Sequence, residues 1–267
     1  MTLTSETAGS EITNPDGIGP VDPAAAQVAR ATRGVGTVLV TGAASGLGRA
    51  VAAAVTAAGG RALLVDRVAV GSQDGQGVPE GALATVTDLS DTAAAEDAIR
   101  ALIDQAGGVD AMVTAAGTDR CGALGDVPAA EWERVVAVNL FGTAAVIRAA
   151  LPALKESRGK IVTIASTLGL KALPDATAYC ASKFGVVGMT RALATELAGQ
   201  VGVTLLVPGG MATAFFDGRP DQYKPGPDAQ LNDPADVADA VLFALTRANG
   251  CEVREMVVCQ STEPSWP

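Results

Sequence analysis

Along most of the chain, short runs of consecutive apolar, largely β-branched residues alternate with longer Ala-rich stretches of helical periodicity. The runs are Thr37–Thr41, Ala62–Asp66, Ala82–Val86, Ala111–Ala115, Lys160–Ser166, Val203–Val207 and Val253–Cys259. The stretches between them lie near Gly46–Ala58, Thr92–Gln105, Pro128–Lys155, Ala178–Gly199 and Pro234–Ala248. A strand that is apolar on both faces has no solvent side. Such strands separated by helices predict a parallel sheet covered on both faces. Right-handed crossovers then make a doubly wound α/β sheet of about seven strands, in one domain, the expected topology. Asp233, before Pro234 and with Asp236 in the first turn, predicts the start of the last helix. One stretch breaks the alternation: Arg67–Gly81 is Gly-rich and weakly periodic, which predicts a long loop in place of a helix.

The first residues follow neither pattern. Met1–Pro20 carries Glu6, Glu11 and Asp16 among Ser, Thr, Gly and Pro, with no basic start and no apolar core of a secretory signal. Residues 1–34 are therefore expected to form a flexible arm, and 35–267 a single catalytic domain. No uninterrupted apolar run reaches the length of a membrane span.

Composition narrows the chemistry. The 267 residues hold 19 Lys and Arg against 29 Asp and Glu, a net charge of −10, which disfavours nucleic acid and anionic membranes as partners. Histidine is absent altogether. That excludes Ser-His-Asp and Cys-His nucleophiles, HExxH zinc sites and any imidazole base. Cys121, Cys180, Cys251 and Cys259 form no CxxC pair and read as reduced thiols without a metal. A soluble, cytoplasmic protein is expected, with any proton chemistry left to Tyr, Lys, Cys or carboxylates.

Two motifs carry chemistry. Thr41-Gly42-Ala43-Ala44-Ser45-Gly46-Leu47-Gly48 lies between the first strand and the first helix. There, glycines allow a tight turn, and backbone N–H groups can approach a pyrophosphate. Asp66 ends the next strand 18 residues after Gly48, where a carboxylate would take the adenosine ribose hydroxyls. It would repel a 2′-phosphate, which favours NAD; the adjacent Arg67 keeps NADP as an alternative. The second motif is Tyr179-Cys180-Ala181-Ser182-Lys183, whose i,i+4 spacing puts phenol and ammonium on one helix face. A nearby ammonium is expected to lower the phenol pKa and so provide an acid/base without histidine.

With these residues in hand, the chain resembles the short-chain dehydrogenase/reductase family of the ordinary type, over about Thr37 to Gln260. Thr41–Gly48 resembles its TGxxxGxG loop and Tyr179–Lys183 its YxxxK motif. Ser166, 13 residues before Tyr179, stands where the family has its catalytic serine, and Asn139 matches the family asparagine. Asp88-Leu89 matches the pair that contacts adenine, and Pro208-Gly209, with Met211 and Thr213 beyond, the nicotinamide end. The resemblance implies a Rossmann fold and an NAD(P)-dependent oxidoreductase acting on a secondary alcohol or ketone. By the same resemblance, Tyr179 exchanges the proton and Ser166 polarises the substrate oxygen. Lys183 binds the nicotinamide ribose, and Asn139 holds a water in a proton relay. Cofactor contacts are implied for Gly42, Ser45, Gly46, Leu47, Gly48, Asp66, Asp88, Leu89, Ala115, Ala116, Gly117, Tyr179, Lys183, Pro208, Gly209, Met211 and Thr213.

One motif departs from the family pattern: Thr114-Ala115-Ala116-Gly117 stands in place of NNAG, and weaker cofactor affinity is expected from the lost amides. Thr167–Asp175 and Gly209–Leu231 are expected to face substrate, the latter as a lid, together with part of the C-terminal tail. Trp266 is a candidate to close the pocket. The helix at Ala178–Gly199 is apolar nearly all round, and the resemblance implies a homotetramer or homodimer built on it. Two alternatives stand beside the dehydrogenase: a non-catalytic NAD-binding regulatory module, and a ketoreductase acting on a carrier-bound acyl thioester.

Overall fold

The computed structural model describes residues 34–71 and 78–266. The chain divides into two units, Met1–Arg33 and Gly34–Pro267. The expected arm at residues 1–34 thus lies outside the described residues except for Gly34, and so does the centre of the Arg67–Gly81 loop. The described parts of that loop contain no helix.

Seven strands form one all-parallel sheet: β1 (Thr37–Thr41), β2 (Arg61–Asp66), β3 (Leu83–Val86), β4 (Ala111–Thr114), β5 (Lys160–Ile164), β6 (Gly202–Pro208) and β7 (Glu255–Val258). Their order is β3-β2-β1-β4-β5-β6-β7. The chain winds outward from β1 to β3, then returns to the middle and winds the other way from β4. The reversal opens a crevice beyond the C-terminal ends of β1 and β4, the natural ligand position in such sheets.

Among the described residues, six α-helices cover the sheet: α1 (Gly46–Ala57), α2 (Thr92–Ala106), α3 (Ala129–Val136), α4 (Thr143–Ser157), α5 (Thr177–Glu196) and α6 (Pro234–Leu245). Alternate residues of each central strand feed opposite cores. Val38, Val40, Val113 and Val162 pack with Val51 and Val55 of α1 and Val237 and Val241 of α6. Leu39, Leu63, Met112 and Ile161 pack with Ile99 of α2 and with Val146 and Leu154 of α4. Each of these side chains contributes about 1.5–3 kcal/mol by leaving water. The edge strands β3 and β7 alternate partly buried with exposed residues, as expected where one face is less covered.

Caps set several boundaries. Asp233 accepts the Ala235 N–H and fixes the start of α6 as expected. The strand expected through Ser166 stops at Ile164, because Ser166 caps a short 3-10 turn by accepting the Leu168 N–H. The helix expected over 128–155 is continuous but contains a π turn, Ala137–Gly142, between α3 and α4. Such turns widen a helix locally and are common at functional sites. An 18-residue window of this 129–157 stretch is apolar enough to suit a membrane span, with a mean hydropathy of 1.7, yet half of that window is buried inside the fold. A core helix explains its composition.

Candidate active site

The crevice is a cavity of about 1100 Å³ running from the glycine loop to the lid. At its first end, β1 enters the loop through Gly42, whose φ of +70° is left-handed. A Cβ there would come within 2.8 Å of the Ala116 Cα, so the loop and the end of β4 touch backbone to backbone. Thr41 Oγ1 accepts the Ala116 N–H at 3.1 Å and locks the contact. A Cβ on Gly48 would overlap the Gly42 carbonyl, which is why the helix can start so close to the strand. Ser45 occupies the N-cap of α1, but its hydroxyl makes no capping bond. The first-turn N–H groups of α1 therefore remain available to an anion at the positive end of the helix dipole.

Two carboxylates border this end. Asp66 accepts the Ala44 N–H at 3.0 Å and the Val68 N–H at 3.2 Å, which fixes it beside the glycine loop with Arg67 next to it. Asp88 accepts from Arg134 Nη2 at 2.9 Å and from the Ser90 N–H at 2.9 Å. Those bonds hold its carboxyl down at about 2. Arg134, on α3, was not singled out from the sequence, yet it lines the cavity.

The other end holds the acid/base candidates. Tyr179 and Lys183 stand on one face of α5, with the Lys183 ammonium 5.6 Å from the Tyr179 ring centre. Ser166 arrives from the end of β5 and lines the same cavity as Tyr179, close enough for its hydroxyl to favour the phenolate. Lys183 Nζ donates to the Ile164 carbonyl at 2.9 Å. Its side chain is 4% exposed, and burial pushes the ammonium down to about 8. The expected lowering of the phenol by lysine is not what these groups produce. Burial dominates and pushes Tyr179 up, with the Ser166 hydroxyl and Arg219 pulling the other way. Lys183 Nζ gives its hydrogen bond to the Ile164 carbonyl and not to the phenol, where burial is the largest influence.

Asn139 is also placed differently from expectation. It sits in the π turn, 1% exposed, behind Gly117 and not on the cavity wall. Its Oδ1 accepts the Thr118 N–H at 2.8 Å, and its Nδ2 donates to the Thr118 carbonyl and to Ser182 Oγ. Ser182 Oγ in turn donates to the Tyr179 carbonyl at 2.8 Å. The side chain thus ties the exit of β4 to the first turns of α5, with both amide hydrogens used on Thr118 and Ser182.

Of the other residues singled out, Gly42, Ser45, Gly46, Leu47, Gly48, Asp66, Asp88, Leu89, Ala115, Ala116, Gly117, Pro208, Gly209, Met211 and Thr213 all line this one cavity. The lid lines it through Phe215, Phe216, Arg219 and Tyr223, and the tail through residues 262–265. Trp266 does not line it. Glu263 accepts the Gly210 N–H at 2.9 Å, and Ser265 Oγ lies 2.7 Å from Thr167 Oγ1, so the tail clamps both sides of the crevice.

The departure at Thr114-Ala115-Ala116-Gly117 leaves a mark of its own. Thr114 is 3% exposed, and its hydroxyl has no hydrogen-bond partner. An unsatisfied buried hydroxyl costs about 1–3 kcal/mol. Thr114→Val keeps the shape and removes the group, so urea unfolding is expected to show a gain of about 1 kcal/mol. A loss of stability would show that the hydroxyl is satisfied.

Comparison with known proteins places this geometry. The short chain dehydrogenase model matches residues 36–224. Among curated relatives, the chain is 34% identical over 219 residues to the (2S)-[(R)-hydroxy(phenyl)methyl]succinyl-CoA dehydrogenase subunit BbsD of Thauera aromatica, covering 77% of this chain and 87% of that one. It is 33% identical over 198 residues to the D-beta-hydroxybutyrate dehydrogenase of Rhizobium meliloti, with coverages of 70% and 76%. Among solved structures, the 3-ketoacyl-(acyl-carrier-protein) reductase of Brucella melitensis, complexed with NADH, superposes with a TM-score of 0.75 at 28% identity, covering 85% of this chain and 98% of that one.

Proposed function

The chain belongs to the short chain dehydrogenase family, and on that footing we propose that it transfers a hydride between a nicotinamide cofactor and a secondary alcohol or ketone, with Tyr179 as general acid/base. The observation that carries this reading is the joining, in one cavity, of an anion-ready glycine loop with Tyr179, Ser166 and Lys183.

The cradle fits a dinucleotide. Gly42, Ser45, Gly46, Leu47 and Gly48 would hold the pyrophosphate through backbone N–H groups. Asp66 would take the adenosine ribose, Asp88 and Leu89 would border the adenine, and Pro208, Gly209, Met211 and Thr213 would border the nicotinamide, with Ala115–Gly117 between. When bound, the cofactor supplies the hydride acceptor or donor. Ser166 would hydrogen-bond the substrate oxygen, and Tyr179 would exchange its proton. Lys183 would hold the ribose hydroxyls near Tyr179, and Asn139 would act by holding Thr118 and Ser182 in place. The carboxylate of Asp66 on the cavity wall beside the glycine loop would repel a 2′-phosphate, which supports NAD over NADP.

The curated relatives named above act on a hydroxybutyrate and a hydroxyacyl-CoA. They support a substrate whose alcohol lies β to a carboxyl or acyl group; the ketoreductase relative supports the thioester variant of the same reading. Phe141 and Phe184 are 56% and 45% exposed on the π turn and α5, which supports a homotetramer or homodimer that covers them. A panel of β-hydroxy acids, simple alcohols and ketones, followed by absorbance of the reduced nicotinamide, tests the reaction. Turnover is expected with NAD about tenfold or more above NADP, a charge-repulsion effect of about 1.4 kcal/mol. Binding of neither cofactor by calorimetry would sink the assignment, and light scattering of the same preparation reads the oligomer.

A further inference from the structure

The lid is pinned at its base. Met211 and Asn232 pair as a bridge, with the Asn232 N–H donating to the Gly210 carbonyl at 2.8 Å. Further out, two side chains cross to the opposite wall. Arg219 Nη2 donates to Asp119 Oδ2 at 2.6 Å, on the loop after β4. Tyr223 donates to Asp175 Oδ2 at 3.2 Å, on the loop before α5.

The Arg219–Asp119 pair is unlike an ordinary surface contact. The two side chains are only 18% and 5% exposed. An exposed pair would add little, whereas removing one member of a desolvated pair strands the other charge. The Arg219 guanidinium also lies 5.0 Å from the Phe215 ring centre and 4.6 Å from that of Phe216. Phe215 in turn packs on Tyr179 with ring centres 5.7 Å apart. Asp119, Arg219, Phe215 and Tyr179 therefore form one connected line from the loop after β4, through the lid, to the acid/base.

We propose that Asp119 and Arg219 are a positioning pair for Tyr179: their ion pair fastens the lid across the cavity and seats Phe215 against the Tyr179 ring, so that the acid/base is fully assembled only with the lid down. This rests on the assignment of Tyr179 made above. The pair also sets opposed charges near the phenol. The groups that bear on Tyr179 are Ser166, Asp119, Arg219 and Cys180, with Lys183 on its own helix. Cys121, bonded to Asp119 and held up at about 12 by burial and that carboxylate, stays neutral, while Asp175 adds a second negative charge near it. Within this set Asp119 disfavours the phenolate and Arg219 favours it.

The signs give a test that damage alone cannot mimic. Arg219→Gln removes the cation and strands Asp119, so the limb on which alcohol oxidation rises with pH is expected to move to higher pH. Asp119→Asn removes the anion and leaves the cation, so the same limb is expected to move to lower pH. Both are expected to lower kcat/KM about 10–100-fold, as misplacement of an assembled site does, while calorimetry finds a clearly smaller loss of cofactor affinity, since the glycine loop is untouched and only the lid end of the cradle is loosened. Hydrogen exchange needs no turnover: protection across 213–231 is expected to fall in Arg219→Gln and to return in the exchanged pair Asp119→Arg with Arg219→Asp. Unchanged kcat/KM, limbs that stay put or move together, or unchanged lid protection would each overturn the proposal. A wild-type protein that binds cofactor but turns over nothing on the panel would count against the role of Tyr179, and the exchange experiment would still decide the latch.

Discussion

Replacing Tyr179 with Phe is expected to lower kcat/KM about 10²–10⁴-fold, the usual size of a lost general acid/base. Cofactor affinity and fold should be nearly unchanged. The separation of effects follows from the packing. The Tyr179 ring contributes its contact with Phe215, which Phe would keep, and loses only a hydroxyl in the neighbourhood of Ser166. Ser166 still accepts the Leu168 N–H, so its orientation is held without the phenol. With no histidine anywhere in the chain, no imidazole stands ready to take over the proton. Absorbance kinetics on any substrate found in the panel, with calorimetry on the same variant, separates the two quantities. Full activity in Tyr179→Phe would refute the mechanism; loss of cofactor binding along with activity would mean that the tyrosine serves the cavity's shape and not its chemistry.

The sheet and most of the site were legible in the sequence for one physical reason: they are built from local patterns. Strands apolar on both faces, helices with an apolar stripe, and caps such as Asp233 each report their own structure within a few residues. Gly42–Gly48 and Tyr179–Lys183 are also local, so their spacing alone places a glycine turn at a helix start and two side chains on one helix face. What the sequence hid joins distant residues through irregular backbone. Arg219 meets Asp119 across 100 positions, Arg134 meets Asp88 across 46, and Gly210 meets Glu263 across 53. No periodicity links such pairs, and each lone Arg or Asp in a loop looks like a solvated surface charge. The structural ties of Asn139 are hidden for a related reason. A motif marks that the amide matters, but only the fold shows that both its polar atoms are already used on Thr118 and Ser182. The phenol was misjudged because spacing brings a lysine near without revealing how dry the site is.

Lys183→Met is expected to make the protein more stable at neutral pH while abolishing its chemistry. The ammonium is buried; burial alone shifts it, no carboxylate offsets it, and it is held down at about 8 from an ordinary 10.5. Below about pH 8 the lysine is charged in both folded and unfolded chains, and the fold carries the whole desolvation cost, about 3 kcal/mol for a shift of this size. Between pH 8 and 10.5 the folded lysine releases its proton before the unfolded one does. Its contribution to stability therefore rises with pH across that window and is lost again as pH falls back through 8. Methionine fills nearly the same space without the charge, at the cost of leaving the Ile164 carbonyl without its donor, about 1 kcal/mol. The net expectation at pH 7 is a gain of about 1–2 kcal/mol in denaturant unfolding, shrinking toward zero or a small loss by pH 10.5. A variant less stable at pH 7, with a gap that does not change with pH, would show that the lysine is satisfied in place and carries no such cost. A buried cation that the fold retains against its own stability is what a site selected for chemistry contains. The same residue therefore links the two measurements: the pH window over which the wild-type protein gains stability is the window over which Lys183 loses its charge.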